Sequence, residues 1–149
     1  ERPSEPPLPI LAPTVRFTLV EELTPALEDS LWRLYQAEEW SKGCSLGDVR
    51  KMLRGNTLNL ALVDEEGMLA GYARVLSDGA FTAFLMDAIV APVWRGAGLG
   101  RRMMGAALGH PEMSGVRQFQ PYCTEELVPF YEQWGFTSDL GDLCFMRRR

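Results

Sequence analysis

The stretch that most constrains this chain is an apolar run, residues 84–90, that passes through a glycine-rich turn into a helical pattern. Gly96, Gly98 and Gly100 carry no side chain, so the backbone there can approach a ligand closely. The helix predicted over Leu99–Leu108 would direct unpaired N–H groups and the positive end of its dipole at the same point. A strand, a glycine turn and a helix in this order indicate a phosphate-binding loop.

Two common phosphate loops do not fit the spacing of these glycines. A Walker-type loop needs a lysine directly after its last glycine, and none is present here. A dinucleotide fingerprint needs a third glycine three residues after the second, where this chain has Arg101. A module that binds ATP or NAD through this loop is therefore disfavoured.

Two segments carry a resemblance to a known family. The run Arg95-Gly-Ala-Gly-Leu-Gly100, preceded by Asp87-Ala-Ile-Val-Ala-Pro92, resembles the coenzyme A pyrophosphate loop of the GCN5-related N-acetyltransferase (GNAT) superfamily. The run Phe130-Tyr-Glu-Gln-Trp-Gly-Phe136 is similar to the Tyr-x-x-x-Gly-Phe segment of that family. The resemblance extends roughly from residue 15 to residue 146, and residues 71–78 and 109–111 look like a bacterial branch with no single substrate.

The resemblance implies an α/β fold with a mixed, mostly antiparallel sheet of about six or seven strands and about four helices. A parallel pair of strands would lie at the acetyl-CoA cleft. Alternation of apolar residues predicts strands over residues 15–21, 57–63, 68–76, 81–90, 116–122 and 143–147. Capping signals and apolar stripes predict helices from Thr24 to near Trp40, over 45–55, over 99–108 and over 125–133.

Length and composition predict one domain over residues 14–149. Residues 1–13 contain five prolines and are predicted to form a flexible arm. The chain is 46% hydrophobic, which can fill a single core. No apolar run approaches the roughly 20 residues of a bilayer span, and no signal peptide is recognisable, so a cytoplasmic location and no membrane partner are expected.

The net charge and the few possible metal ligands limit the partners and the reactions that this chain is expected to have. The net charge of −5 disfavours nucleic acid and anionic membranes as partners and mildly favours a cationic acceptor. Cys44, Cys123 and Cys144 are widely spaced, which argues against a disulfide framework or a zinc site and leaves them as buried or incidental thiols. His110 is the only histidine and has no metal ligand at suitable spacing. No metal is expected, and the chemistry must proceed without histidine.

The resemblance implies acetyl-CoA as the cosubstrate. Backbone groups of Ile89 and Val90 would hold the pantetheine arm, and the N–H groups of the glycine loop would hold the pyrophosphate. The side chains of Arg95 and Arg101 would assist with positive charge. The cofactor-binding residues expected on this basis are Ala88, Ile89, Val90, Arg95, Gly96, Ala97, Gly98, Leu99, Gly100, Arg101, Thr124 and Tyr131.

Tyr131 is the expected general acid. Its ordinary pKa of about 10 lies near the value of roughly 8.5 for a thiol, so it could protonate a departing thiolate. The alternative is a tyrosine that only packs on its helix. Its register against Gly135 and Phe136 favours the catalytic role.

The base is less constrained by the sequence. Asp87 is an acidic residue within an apolar strand, where a carboxylate needs a partner or a role. It could accept the proton of the amine, orient a cationic acceptor, or bond an arginine such as Arg74. Glu125 and Glu126 are alternative bases, although acidic residues at a helix start also complement the helix dipole. Here Cys123-Thr-Glu-Glu departs from the family pattern, which leaves the roles of Thr124 and the glutamates open.

The acceptor is expected to be a primary amine that binds beside the first two helices. The resemblance implies acceptor contacts from Glu38, Glu39, Trp40 and Ser41, whereas an exposed helix end with one packing tryptophan is the alternative for these four. Arg74 and Asp87 are expected to contact the acceptor as well. Direct transfer in a ternary complex is expected, because no cysteine has an activating histidine. The alternative function is a non-catalytic coenzyme A sensor or partner-binding module. Sheet edges and apolar residues such as Phe145 allow a homodimer without fixing one.

Overall fold

The computed structural model describes residues 15–149, and the predicted arm over residues 1–13 lies outside them. Five strands form one sheet in the order β1 (Thr18–Val20), β2 (Leu58–Val63), β3 (Leu69–Ser77), β4 (Thr82–Val90) and β5 (Gln118–Pro121). Neighbouring strands from β1 to β4 are antiparallel, and β4 and β5 are parallel. The predicted mixed sheet with one parallel pair is confirmed.

Four α-helices cover the sheet: α1 (Pro25–Gln36), α2 (Leu46–Gly55), α3 (Leu99–Leu108) and α4 (Val128–Glu132). Successive residues of β2 point to opposite faces, as alternation in a strand requires. On one face Leu62 packs with Leu99 and Met103 of α3. On the other face Ala61 packs with residues of α1 and α2. The helices therefore form a layer on each side of the sheet.

The starts of the first two helices follow their capping signals. Thr24 caps α1 by accepting a hydrogen bond from the N–H of Leu27, and Pro25 occupies the first helical position. Ser45 and Asp48 exchange hydrogen bonds with each other's backbone N–H at the start of α2. The helix α1 ends at Gln36 instead of near Trp40, because the Ser41 hydroxyl donates to the Tyr35 carbonyl at 2.7 Å and the chain turns away.

The C-terminal part differs from the prediction. The expected helix over residues 125–133 begins as a 3₁₀ turn, Glu125–Leu127, and α4 starts just before Pro129, since proline is tolerated only in the first turn. Among the described residues no strand forms over 143–147, so the sheet has five strands instead of six or seven. Leu143 and Phe145 are 71% and 62% exposed, so the alternation that suggested a strand buries neither side chain.

A bulge in β4 and an early separation of β5 shape the region where the two parallel strands end. Arg74 pairs with Met86 and Tyr72 pairs with Ile89, so two residues of β4 oppose one of β3. Asp87 lies in this bulge with a φ of 57°, a left-handed conformation that is uncommon outside glycine. The pairing of β4 with β5 ends at Leu85. Among residues 15–149 no strand pairs with that edge of β4 from Met86 onwards.

Candidate active site

The glycine turn forms the start of α3. Gly96 and Gly98 have φ values of 84° and 80°, which only glycine adopts without strain, and Gly98 is the N-cap of α3 without a side-chain cap. The first backbone hydrogen bond into α3 is donated by Arg102 to Gly98. The N–H groups of Leu99 and Gly100 therefore have no acceptor among the described residues, as expected for the first turn of a helix.

A cavity of about 260 Å³ lies over this turn. Its lining consists of Val90, Trp94, Arg95, Gly96, Gly98, Leu99, Gly100, Arg101 and Phe130. Free N–H groups, the positive end of the α3 dipole and two arginines therefore meet at one cavity, which is the requirement for anion binding. The structure brings together most of the loop residues expected to hold a cofactor.

Both arginines of the cavity already have partners. The Nε of Arg95 donates to the Val90 carbonyl at 3.4 Å, and its Nη2 lies 4.0 Å from a carboxylate oxygen of Glu38. Arg101 donates to the side chain of Gln133 just beyond α4. Arg95 is 63% exposed, so its ion pair is weak and can open at little cost when an anion binds.

Phe130 joins α4 to the glycine turn. A methyl group in place of the Gly100 hydrogen would lie 3.2 Å from the Phe130 ring, a tighter contact than side chains normally make. A side chain at position 100 would therefore have to displace the Phe130 ring by a few tenths of an ångström. Sequence reasoning missed Phe130 as a cavity residue, although its position next to Tyr131 in a segment of the family pattern was the available signal.

Tyr131 is 8% exposed and packs against Leu85 and Met104 in the core beneath α3. Its hydroxyl makes no hydrogen bond to any other described residue. Within residues 15–149, Thr82 Oγ1 is the one side-chain oxygen or nitrogen that has neither solvent contact nor a hydrogen-bond partner. The Tyr131 hydroxyl, which also has no partner, is therefore in contact with solvent. Burial, and after it the charge of the Cys123 thiolate, raises the pKa of Tyr131 above its ordinary value. The phenol is thus protonated at neutral pH.

Asp87 is held by two side chains. Its Oδ2 accepts a hydrogen bond from the Arg74 Nε at 2.6 Å and another from the Tyr35 hydroxyl at 3.0 Å. Burial alone would lower the pKa of Arg74, but the charge and the hydrogen bond of Asp87 raise it. Burial and the charge of Asp87 raise the pKa of Tyr35. The pairing with Arg74 is one of the three roles that the sequence left open for Asp87.

Polar side chains extend this network under α2. The Arg74 Nη1 donates to the Asn56 side chain at 3.2 Å, and the Tyr72 hydroxyl donates to the Asn59 side chain at 2.8 Å. Neither Asp87 Oδ1 nor Arg74 Nη2 has a partner among the described residues, and neither atom is sealed from solvent. The ion pair therefore keeps one free oxygen and one free nitrogen.

Tyr35 was missed by the sequence analysis, although a signal was present. It continues the stripe of Leu27 and Leu31 at intervals of four residues, which predicts burial on the inner face of α1. A buried tyrosine usually needs a partner for its hydroxyl. That requirement, together with a carboxylate in a neighbouring strand, could have linked Tyr35 to Asp87.

The other predicted acceptor residues lie at the end of α1. Trp40 is 56% exposed and its ring meets that of Tyr35 edge-on, with the ring centroids 5.3 Å apart. Ser41 bonds the Tyr35 carbonyl, and Glu38 pairs with Arg95 as described above. In contrast, Thr124 and Glu125 are exposed and line neither the cavity over the glycine turn nor the larger one beside Tyr131.

Residues 15–149 contain neither a cluster of metal ligands nor a helix that could span a membrane. In that part of the chain no three histidine, cysteine or acidic side chains are grouped closely enough to hold a metal ion. No helix formed by the same residues has the length and apolar character needed to cross a bilayer.

Comparison with known proteins gives one family and several relatives. The family model described as an acetyltransferase (GNAT) domain matches residues 24–146. A GNAT-family structure from Xanthomonas campestris pv. campestris superposes with a TM-score of 0.77 at 28% identity, covering 90% of this chain and 93% of the other.

Two curated relatives are similar over part of their length. An uncharacterised N-acetyltransferase of Pyropia yezoensis is 26% identical over 115 residues, which are 71% of this chain and 66% of the relative. The chloroplastic serotonin N-acetyltransferase 2 of Oryza sativa subsp. japonica is 33% identical over 86 residues, 56% of this chain and 43% of the relative. The chain thus spans just under two thirds of the first relative and less than half of the second.

Proposed function

The chain belongs to the GNAT acetyltransferase family, and from this premise we propose that it transfers the acetyl group of acetyl-CoA directly to a primary amine. The observation that carries the proposal is the cavity at which the free N–H groups at the start of α3 meet the end of β4 at Val90, with the solvent-accessible hydroxyl of Tyr131 on the residue next to its Phe130 wall. Together they provide an anion site, a strand edge and a proton donor.

The residues present fit a coenzyme A thioester. The cavity over the glycine turn supplies N–H groups and positive charge for a pyrophosphate, and the edge of β4 at Ile89 and Val90 supplies backbone groups for an amide-containing arm. Arg95 holds the Val90 carbonyl and would be drawn to the pyrophosphate, which frees that carbonyl. When bound, acetyl-CoA supplies an activated acyl group and a thiolate leaving group.

Tyr131 is proposed as the general acid. Its raised pKa keeps the proton in place at neutral pH, and its unbonded hydroxyl is free to donate that proton to the sulfur. The backbone N–H of Val90, next to Ile89, is proposed to polarise the acetyl carbonyl, because Ala91 donates to Ala70 of β3 and the residue before it therefore faces the other edge of β4.

Asp87 is proposed to orient the amine and to receive its proton at Oδ1, the oxygen that neither Arg74 nor Tyr35 bonds. The two partners fix the carboxylate, which favours one geometry for the incoming amine. Glu125 remains the alternative base. The proposed acceptor wall comprises Glu38, Trp40 and Ser41, which follow α1, and Arg74 of β3. Trp40 meets the ring of Tyr35, whose hydroxyl bonds the same carboxylate.

An amine panel is needed to identify the acceptor. The rice relative carries the name of an enzyme for serotonin, an arylalkylamine, and the exposed Trp40 ring beside Tyr35 supports including that class. Cytoplasmic location remains the prediction from the sequence, while the rice relative is named as chloroplastic.

Calorimetric titration with acetyl-CoA, followed by a thiol-release assay over an amine panel, tests the proposal. The panel contains arylalkylamines, polyamines, amino acids, aminoglycosides and peptides with free N-termini. Binding with thiol release for one class is expected. Binding with no release from any amine would favour the sensor alternative, and the absence of binding would overturn the assignment of the glycine turn.

A further inference from the structure

A second cavity, of about 610 Å³, is not used by the proposed acetyl transfer except where Tyr131 forms part of its wall. It lies between the end of β5, α4 and the segment after Gly135. Cys123 and Cys144 both line it, and both are free thiols with exposed residues. Two cysteines that are 21 positions apart in the chain therefore line the same cavity.

An aromatic contact brings the two cysteine-bearing segments side by side. The rings of Tyr122 and Phe145 stack with centroids 5.7 Å apart and planes at 25°. Each ring belongs to the residue next to one cysteine, and neighbouring Cα atoms are about 3.8 Å apart. Each cysteine is thus one residue from a stacked ring, and a backbone shift of one segment along the other can bring the two thiols together.

The C-terminal segment is able to make that shift. Residues 133–149 form no helix or strand, and residues 137–149 are exposed throughout. A disulfide requires Cα atoms about 4.4–6.8 Å apart, and a segment without backbone ladder bonds can adjust to that distance at low cost. Cys44 differs in this respect, because its carbonyl accepts hydrogen bonds from Trp32 and Gln36 that fix it between α1 and α2.

We propose that Cys123 and Cys144 form a dithiol site that exchanges with low-molecular-weight disulfides and, when oxidised, clips the C-terminal segment to the end of β5. One thiolate attacks the small disulfide, whose S–S bond breaks and releases one thiol. The second cysteine then attacks the mixed disulfide and releases the other thiol. The protein loses two protons and two electrons, and the small disulfide gains them.

The link would close a loop that contains α4 and Tyr131. Closing such a loop restricts the unfolded chain, so the oxidised form should be more stable to heat than the reduced form. Burial raises the pKa of the Cys123 thiol, so exchange should become faster as the pH rises and more thiolate forms.

The test uses the whole chain, incubated with glutathione disulfide or with reduced glutathione and then alkylated. Cleavage after arginine and lysine leaves both cysteines in one peptide, residues 118–147, and leaves Cys44 in another, residues 43–50. The expected result is a loss of two hydrogens from peptide 118–147, reversed by reduction, with a higher melting temperature. Cys44→Ser should behave like the wild type, and Cys123→Ser and Cys144→Ser should lose both effects.

Three results would overturn the inference: glutathione attached to single cysteines without an internal link, a link that includes Cys44, or a disulfide-joined dimer. Melting of each reduced variant shows whether the serine has harmed folding, and the peptide mass of the wild type decides the matter even if it has. The readout is chemical, so it holds whether or not the chain transfers acetyl groups.

Discussion

Tyr131 and Asp87 are ionisable side chains near the point where β4 and β5 separate, and their surroundings differ. Tyr131 packs among apolar side chains beneath α3, and its hydroxyl bonds no other described residue. Asp87 is bonded by Arg74 and Tyr35 from β3 and α1. The Tyr131 hydroxyl, which has no such partner, adds little to folding and is free to exchange a proton, whereas the Asp87 carboxylate is held through Oδ2 and keeps only Oδ1 for the amine. Substitution of Tyr131 should therefore affect activity most, and substitution of Asp87 should affect stability most.

The largest expected effect is on turnover in Tyr131→Phe. Removing the hydroxyl should lower kcat by about 10²–10⁴, the usual contribution of a general acid. Affinity for acetyl-CoA and the melting temperature should hardly change, because no hydrogen bond is lost. Steady-state kinetics, calorimetry and thermal unfolding provide the three measurements. Wild-type turnover would remove the catalytic assignment.

A pH profile gives the matching control for that variant. Tyr131 acts in its protonated form, so activity that depends on it persists below its pKa and declines as the pH rises through that value. Because burial raises the pKa, the decline should lie above pH 10. The Tyr131→Phe variant should lack this limb.

Asp87→Ala should have the largest effect on stability. It leaves the guanidinium of Arg74, which is 18% exposed, without its charge partner. The free energy of unfolding should fall by about 3 kcal/mol, as for other buried pairs that lose one member. Denaturant unfolding measures it. Asp87→Asn is the matched control, because asparagine retains an acceptor and tolerates positive φ; it should lose less stability. Equal stability of all three proteins would contradict the structural role of the pair.

Tyr35→Phe is the counterpart of Tyr131→Phe and should show the opposite pattern. It removes a hydrogen bond to a charged group, so stability should fall by about 2 kcal/mol. Turnover should change less than tenfold, because Arg74 still holds Asp87. Unfolding and kinetics on the same preparations make the comparison. A large loss of turnover with unchanged stability would assign the reaction to Tyr35 instead.

Gly98→Ala should lower stability by about 1–2 kcal/mol, less than Asp87→Ala, because it forces a side chain into a φ of 80°. It should also weaken binding of acetyl-CoA, since the turn lines the anion cavity. Gly105→Ala is the control in the same helix: it meets no atom within 4 Å and should raise stability by up to about 1 kcal/mol. Equal effects of the two changes would show that the turn has no special role.

Two helices and the family were predictable from local signals in the sequence. The helix over Leu99–Leu108 was predicted with the bounds that the structure has, because a glycine turn fixes its start and an apolar face its length. The capping box at Ser45 located α2 in the same way. The resemblance to the GNAT superfamily, which depended on the glycine turn and the segment around Tyr131, is confirmed by the family match.

The rest depended on contacts between distant parts of the chain. The alternation of residues 143–147 indicated a strand, but pairing needs a neighbour in register, and the segment instead meets β5 through the stacked rings of Tyr122 and Phe145. The position of Asp87 was conspicuous in the sequence, whereas Tyr35 lies 52 positions away and only the fold joins them. The functional roles of these residues remain proposals.

The contact between Gly100 and Phe130 has a thermodynamic consequence. Phe130 lines the anion cavity, and its ring meets that of Tyr131, the next residue of the five-residue helix α4. If an anion in the cavity restricts the Phe130 ring, it must also restrict the helix that carries the phenol. By linkage, whatever steadies that helix then tightens anion binding by the same factor. The room that Gly100 leaves for the Phe130 ring therefore brings the anion cavity and the helix that carries Tyr131 into contact.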